Sequence, residues 1–186
     1  MYVKVYRDWP HGLLLKGGTV RARNYRLVKG MTYSRKEYIH GVPMPKITKF
    51  TMGNTKGEFS HRVSLIAQSD AQVRHNALEA ARVAVNKYLS SNLKATDYLF
   101  RILVYPHHVL RENKMMAFAG ADRLQEGMRR AFGKPVGVAA RVRSGQVVMY
   151  VEVNENALEI AKEALRRGAA KLPTPCRIAI ETKAAA

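Results

Sequence analysis

From about residue 58 onward the apolar positions follow clear periods. Residues 61–67 alternate, with Val63, Leu65 and Ala67 on one side, and read as a strand. Ser69, followed three residues later by Gln72, forms a capping box. Behind it Val73, Ala77, Ala81, Val85 and Tyr88 recur at helical spacing to about Ser91. The β-rich run 98–105 reads as a buried strand closed by Pro106. A polar stretch without a period follows, 107–121. Asp122 can cap a short helix through Phe132, with Gly133 just past its end. Residues 136–143 and 146–153 are strand-like and separated by Ser144-Gly145, a two-residue hairpin signal. Asn154 or Asn156 caps a further helix through Arg167, with Leu158, Ala161 and Leu165 on one face and Gly168 as its stop. Pro173 and Pro175 flank the turn into a last strand, 176–182.

Residues 1–57 differ. They lack a sustained period, and Gly30, Gly41, Pro43, Pro45, Gly53 and Gly57 punctuate them. Such a segment has too little apolar pattern to fold alone and is expected to order against a partner surface. The predicted class is therefore α+β: a mostly antiparallel sheet with two main helices and one short helix, preceded by a basic extended segment. The expected division is 1–57 as an RNA-binding segment and 58–186 as a compact domain with a long functional loop at 107–121.

Charge sharpens this picture. The chain carries 32 Lys and Arg against 14 Asp and Glu, a formal net charge of +18 on 186 residues. The excess is concentrated: between Lys16 and Lys56 the sole carboxylate is Glu37. Self-repulsion of that density is relieved by a polyanion, and nucleic acid does so with counterion release. In the first segment Arg21, Arg23, Arg26, Lys29, Arg35, Lys36, Lys46 and Lys49 alternate with Tyr25, Tyr33 and Tyr38. Cations of this kind pair phosphates, and tyrosines stack on bases or bond the 2′-OH. A second group, His107, His108, Arg111, Lys114, Arg123, Arg129, Arg130 and Lys134, brackets the polar stretch.

Other chemistry finds less support. A single cysteine, Cys176, excludes an intrachain disulfide and a Cys-based zinc finger, and suits a reducing compartment. No apolar run approaches the ~20 residues of a membrane span, and the first residues do not read as a secretion signal. Asp122 and Glu126 suit helix electrostatics with Arg123, Arg129 and Arg130 better than acid/base work. Glu155, Glu159 and Glu163 form a solvated helix face, with Glu163 facing Arg167. Adjacent His107 and His108 on a strand point to opposite faces and cannot chelate one metal ion. Glycines 120, 127, 133 and 137 match no phosphate-loop spacing. No catalytic residue, metal or cofactor is predicted.

Several blocks carry a family resemblance. The run YSRKEYIHGVPMPKITKFTMGN (33–54) resembles the N-terminal signature of the archaeal and eukaryotic ribosomal protein L-ten-e, counterpart of bacterial L-sixteen. LEAARVAVNKY (78–88), NKMMAFAGADRLQEGMRRAFGKPVG (113–137) and LRRGAAKLP (165–173) are similar to later blocks of that family, in the same order. The resemblance implies an α/β-hammerhead-like fold and a place in the large ribosomal subunit of the cytoplasm. The protein would hold large-subunit rRNA below the central protuberance, beside neighbouring ribosomal proteins. Its 107–121 loop would reach toward the peptidyl transferase centre and the A- and P-site tRNA. Residues 1–20 depart from the family by preceding its usual start. The competing classes are a free RNA- or DNA-binding regulator, which would show a recognition helix or a dimer seam, and an RNA-processing enzyme, which would need a carboxylate or histidine set.

Overall fold

The computed structural model describes residues 4–6, 25–113, 129 and 131–182. The expectations for Arg21, Arg23, Lys114, Arg123 and Arg130, for the Asp122/Glu126 pair and for most of the short helix at 122–132 lie outside them. The described fold is α+β with antiparallel strand pairing throughout.

Nine strands build two sheets. In chain order they are β1 (Lys4–Tyr6), β2 (Thr51–Gly53), β3 (His61–Ala67), β4 (Ala71–Arg74), β5 (Tyr98–Ile102), β6 (His108–Glu112), β7 (Lys134–Val142), β8 (Val147–Val153) and β9 (Cys176–Thr182). The larger sheet has the order β1-β9-β3-β8-β5-β2, and the smaller one β4-β7-β6. Helices α1 (His75–Asn92) and α2 (Leu158–Ala169) pack on each other and on the larger sheet. Val63, Leu65, Phe100, Met149 and Val151 of the sheet meet Leu78, Val85, Leu89, Ala161 and Leu165 in one core. Each fully buried Val, Leu or Phe there contributes about 1.5–3 kcal/mol.

Helix α1 forms, but its buried stripe is Leu78, Ala81, Val85 and Leu89; of the expected Val73, Ala77, Ala81, Val85 and Tyr88, Val73 lies in β4 and Ala77 and Tyr88 are only half-buried. Its end has a local cause. The side chains of Ser90, Ser91 and Asn92 donate to the carbonyls of Lys87, Lys87 and Tyr88 and compete for the last helical acceptors. Its start corrects the capping-box expectation. Residues 71–74 are strand β4, paired with β7 from Ala71↔Val142 to Arg74↔Ala139, so long-range pairing overrides the local signal. Ser69 instead bonds Thr174, with 2.8 Å between hydroxyls.

Gly168 is corrected too. It lies inside α2, buried, and not beyond its end. A Cβ there would sit 2.5 Å from Val85 Cγ2, so the glycine permits the close approach of the two helices.

The Ser144-Gly145 turn forms, with Gly145 at φ +82 and the Gln146 N–H donating to Arg143 O at 3.1 Å. The strands it joins do not pair with each other, contrary to the hairpin expectation, because β7 and β8 belong to different sheets. Ala67 at the end of β3 occupies the turn instead: its N–H donates to Gln146 O and its carbonyl accepts from Gly145 N. Asp70 accepts from Ser144 N, and the Ser144 hydroxyl donates to Gln68 O. The connections 68–70 and 143–146 thus pass together from one sheet to the other, with β3 on β8 and β4 on β7 on either side.

Two further boundaries move. The predicted strand 98–105 ends as β5 at Ile102, and the stretch read as loop from His107 begins with β6. The connection between β6 and β7 is therefore 113–133, and the β6–β7 ladder fixes both of its ends.

Candidate RNA-binding surface

Residues 25–57 fold onto their own chain, not only against a partner as composition suggested. Their backbone does the fastening. The Gln72 amide donates to the carbonyls of Tyr25 (3.0 Å) and Leu27 (2.8 Å), and the Gln72 N–H to that of Arg26 (2.8 Å). The Arg141 guanidinium donates to the carbonyls of Lys29, Gly30 and Met31 at 2.7–3.1 Å. Val109 N–H donates to Tyr33 O at 2.8 Å, which lays Tyr33 along the edge of β6. Ile39, with Val109 and Val138, makes a small second core beneath.

Ile47 of the same segment is buried in the main core, and it is the cationic side chains that are left outside. Arg26, Lys29, Arg35, Lys36, Lys46, Lys49 and Lys56 are all exposed, and none of them makes a salt bridge among the described residues. Seven carbonyls of the segment are taken up by the side chains of Gln72 and Arg141 and by two strand N–H groups, while its cations face solvent. Gln72 and Arg141 were not anticipated as important. Each sits in a strand whose neighbours are apolar, and a polar residue among them is the signal that marks them.

The second basic group is only partly described, and the structure joins it to the first. Arg111 of β6 lies between two rings, 4.7 Å from the centroid of Tyr33 and 3.8 Å from that of Phe132. The rings are edge-on to each other at 6.5 Å. Cation–π packing of this kind fixes the guanidinium plane and leaves its N–H edge to a ligand. Phe132 is 73% exposed, an unusual place for a phenyl ring. Beside it Gly133 touches the backbone of β6, where a Cβ would meet Glu112 C at 2.6 Å. A cleft of about 250 Å³ opens between Tyr25, Lys29, Tyr33, His108 and Arg111, so the two basic groups share one rim. Arg129 and Lys134 are exposed near the other end of the connection, with Lys134 in register with Glu112.

Two histidines clamp the segment. His75 Nδ1 accepts from Lys46 N–H at 2.8 Å, and His108 Nδ1 from Tyr33 N–H at 3.0 Å. Burial pushes both below the ordinary histidine pKa, helped by Lys46 and Arg74 at His75 and by Arg141 and Arg111 at His108. His107 plays no part in this: it is exposed and packs on Tyr105, with centroids 4.6 Å apart. An imidazole whose folded pKa is lowered binds fewer protons folded than unfolded. Its stabilisation is complete above the unfolded pKa near ~6.5 and is lost as pH falls toward the folded value. Acidification from about pH 7.5 to about 5 should therefore lower the urea midpoint and deprotect the Tyr33 and Lys46 amides to hydrogen exchange. A His75→Asn/His108→Asn double variant, which keeps an acceptor oxygen at each site, should lose most of that slope. An unchanged slope would assign it to other groups.

Among the described residues no group of His, Cys, Asp or Glu is placed to hold a metal ion, and no helix is long and apolar enough to cross a membrane. Two of the acidic residues are engaged structurally. Glu152, buried, accepts from Arg62 at 2.7 and 2.9 Å, and Glu163 accepts from Arg167 at 3.2 Å as the i,i+4 spacing predicts. Cys176 is buried, with its thiol pushed up to about 12 by desolvation.

A family model described as ribosomal protein L16p/L10e matches residues 28–179. Large ribosomal subunit protein uL16 of Hyperthermus butylicus is 62% identical over 169 residues, covering 88% of this chain and 94% of the relative. The uL16 of Staphylothermus marinus is 62% identical over 157 residues (84% and 90%), and that of Methanococcus maripaludis 52% over 159 residues (86% and 92%).

Proposed function

Since the chain belongs to the ribosomal protein L16p/L10e family and is a structural constituent of the large ribosomal subunit, not an enzyme, we propose that it holds large-subunit rRNA below the central protuberance and lines the A- and P-site tRNA path. In this reading residues 1–57 are the rRNA-binding segment, with Arg21, Arg23, Arg26, Lys29, Arg35, Lys36, Lys46 and Lys49 as phosphate partners. The 107–121 stretch, with His107, His108, Arg111 and Lys114, and the following Arg123, Arg129, Arg130 and Lys134 face tRNA and the peptidyl transferase centre, and neighbouring ribosomal proteins complete the setting.

One observation carries the reading: the segment is fastened through its backbone while its cations face outward without carboxylate partners among the described residues. Side chains arranged so bind by charge and shape more than by base identity. The β6–β7 ladder fixes the two ends of the 113–133 connection on the sheet.

Sedimentation of the tagged protein through a high-salt sucrose gradient tests the assembly, with stoichiometric comigration with large subunits as the expected result. Crosslinking from Arg111 and Arg129 tests the finer part. Crosslinks to rRNA alone would defeat the tRNA half. Recovery only at the top of the gradient, at moderate salt as well, would favour a free regulator.

A further inference from the structure

The chain leaving β5 carries a surface with no part in the clamp just described. From Arg101 to His107 burial alternates strictly: Ile102, Val104 and Pro106 point inward, while Arg101, Leu103, Tyr105 and His107 are exposed. Leu103 is 51% and Tyr105 41% exposed. The expected strand 98–105 is thus buried on both sides over Tyr98, Leu99 and Phe100 and on one side only from Arg101.

The outward row is organised. Tyr105 packs on Phe50 at 5.3 Å between centroids, with planes tilted by 31°, and on His107 at 4.6 Å with 50°. The backbone fixes this spacing: Ile102 N–H donates to Phe50 O at 2.8 Å, and His107 N–H to Tyr105 O at 3.0 Å. Neither contributing segment, 38–57 or 98–111, contains a carboxylate, and Lys49 and Arg101 are exposed on them. The exposed rings of Tyr105 and His107, backed by half-buried Phe50 and flanked by Lys49 and Arg101, match the way single strands are bound: bases stack on rings while cations follow the phosphates. An apolar protein neighbour would use the rings as well, but would leave the exposed Lys49 and Arg101 without an anionic partner.

We propose that Phe50, Tyr105 and His107 form a stacking platform for unpaired bases of single-stranded RNA, with Arg101 and Lys49 on its phosphates. This rests on the RNA-binding function above and adds a single-strand site separate from the Arg111 cleft.

The test uses the purified full-length chain and two probes, a single-stranded oligoadenylate of about 12 nucleotides containing 2-aminopurine and an RNA duplex with the same number of phosphates. Tyr105→Leu keeps the apolar bulk and removes the π face, and Tyr105→Phe keeps the ring. Tyr105→Leu should weaken the single strand by about tenfold and abolish 2-aminopurine quenching, with duplex affinity within about twofold. Tyr105→Phe should restore both. Single-strand affinity unchanged in Tyr105→Leu overturns the platform and leaves the strip to a protein neighbour. Equal losses on both probes overturn it too, because loss of folding or of general phosphate attraction produces that pattern. Failure of the unsubstituted chain to bind either RNA would instead defeat the RNA-binding function itself.

Discussion

Replacing Arg26, Arg35, Lys36, Lys46 and Lys49 together with glutamine should make the salt dependence of rRNA binding shallower by about four units of slope. Each phosphate contact contributes ~0.7–0.9 to the slope of log affinity against log salt. A tenfold drop in salt would then gain about four decades less affinity than in the unsubstituted chain. These side chains are exposed, and their cationic heads make no salt bridge among the described residues, so the fold should survive the change. Stability should even rise slightly as self-repulsion falls. Affinity titrations of an rRNA fragment at several salt concentrations measure the slope, and urea unfolding supplies the control. An unchanged slope would place the phosphate contacts elsewhere on the molecule.

Gly168→Leu should have the largest effect on the fold itself. The glycine of α2 lies against α1, and even a methyl group there would stand 2.5 Å from Val85 Cγ2 and 3.6 Å from Met149 Sδ. The crossing must open or the side chains must leave their rotamers, at a cost of about 3 kcal/mol. For a chain of this size that corresponds to roughly 6–12 °C in Tm. A Gly168→Leu/Val85→Ala pair should recover part of the loss by returning the space. Thermal unfolding of the three proteins checks this, and a lone Gly168→Leu change without effect would show that the helix pair is loosely packed.

That glycine also shows where sequence reasoning has its limit. The period of α2 was plain in Leu158, Ala161 and Leu165, and the last strand was bounded correctly at Cys176 and Thr182, because alternation and helical spacing are local properties. A glycine near the end of a helical pattern resembles a stop, and only the position of a second helix reveals it as a contact. The Ser69/Gln72 capping signal failed for the same reason, since its competitor is a strand some seventy residues away. So did the hairpin at Ser144-Gly145, where the turn was correct and the pairing was not. At the candidate surface the cations were visible as an acid-free run. What holds them was not: Gln72, Arg141, His75 and His108 act on backbone atoms of a distant segment, and no spacing in the chain announces such bonds.

The strand order has a consequence for how the protein is made. The final strand, β9, is not at an edge: it lies between β1 and β3, and β3 pairs with it along its whole length, from His61↔Thr182 to Ala67↔Cys176. During synthesis, residues 61–67 therefore wait for a partner more than a hundred positions downstream. Until residues 176–182 have been made, β3 keeps an open edge on a highly cationic nascent chain. Long-range pairings of this kind form slowly, and unpaired edges invite wrong partners. Growth conditions that slow synthesis between residues 67 and 176 should thus be the ones in which this chain most needs a companion in the cell.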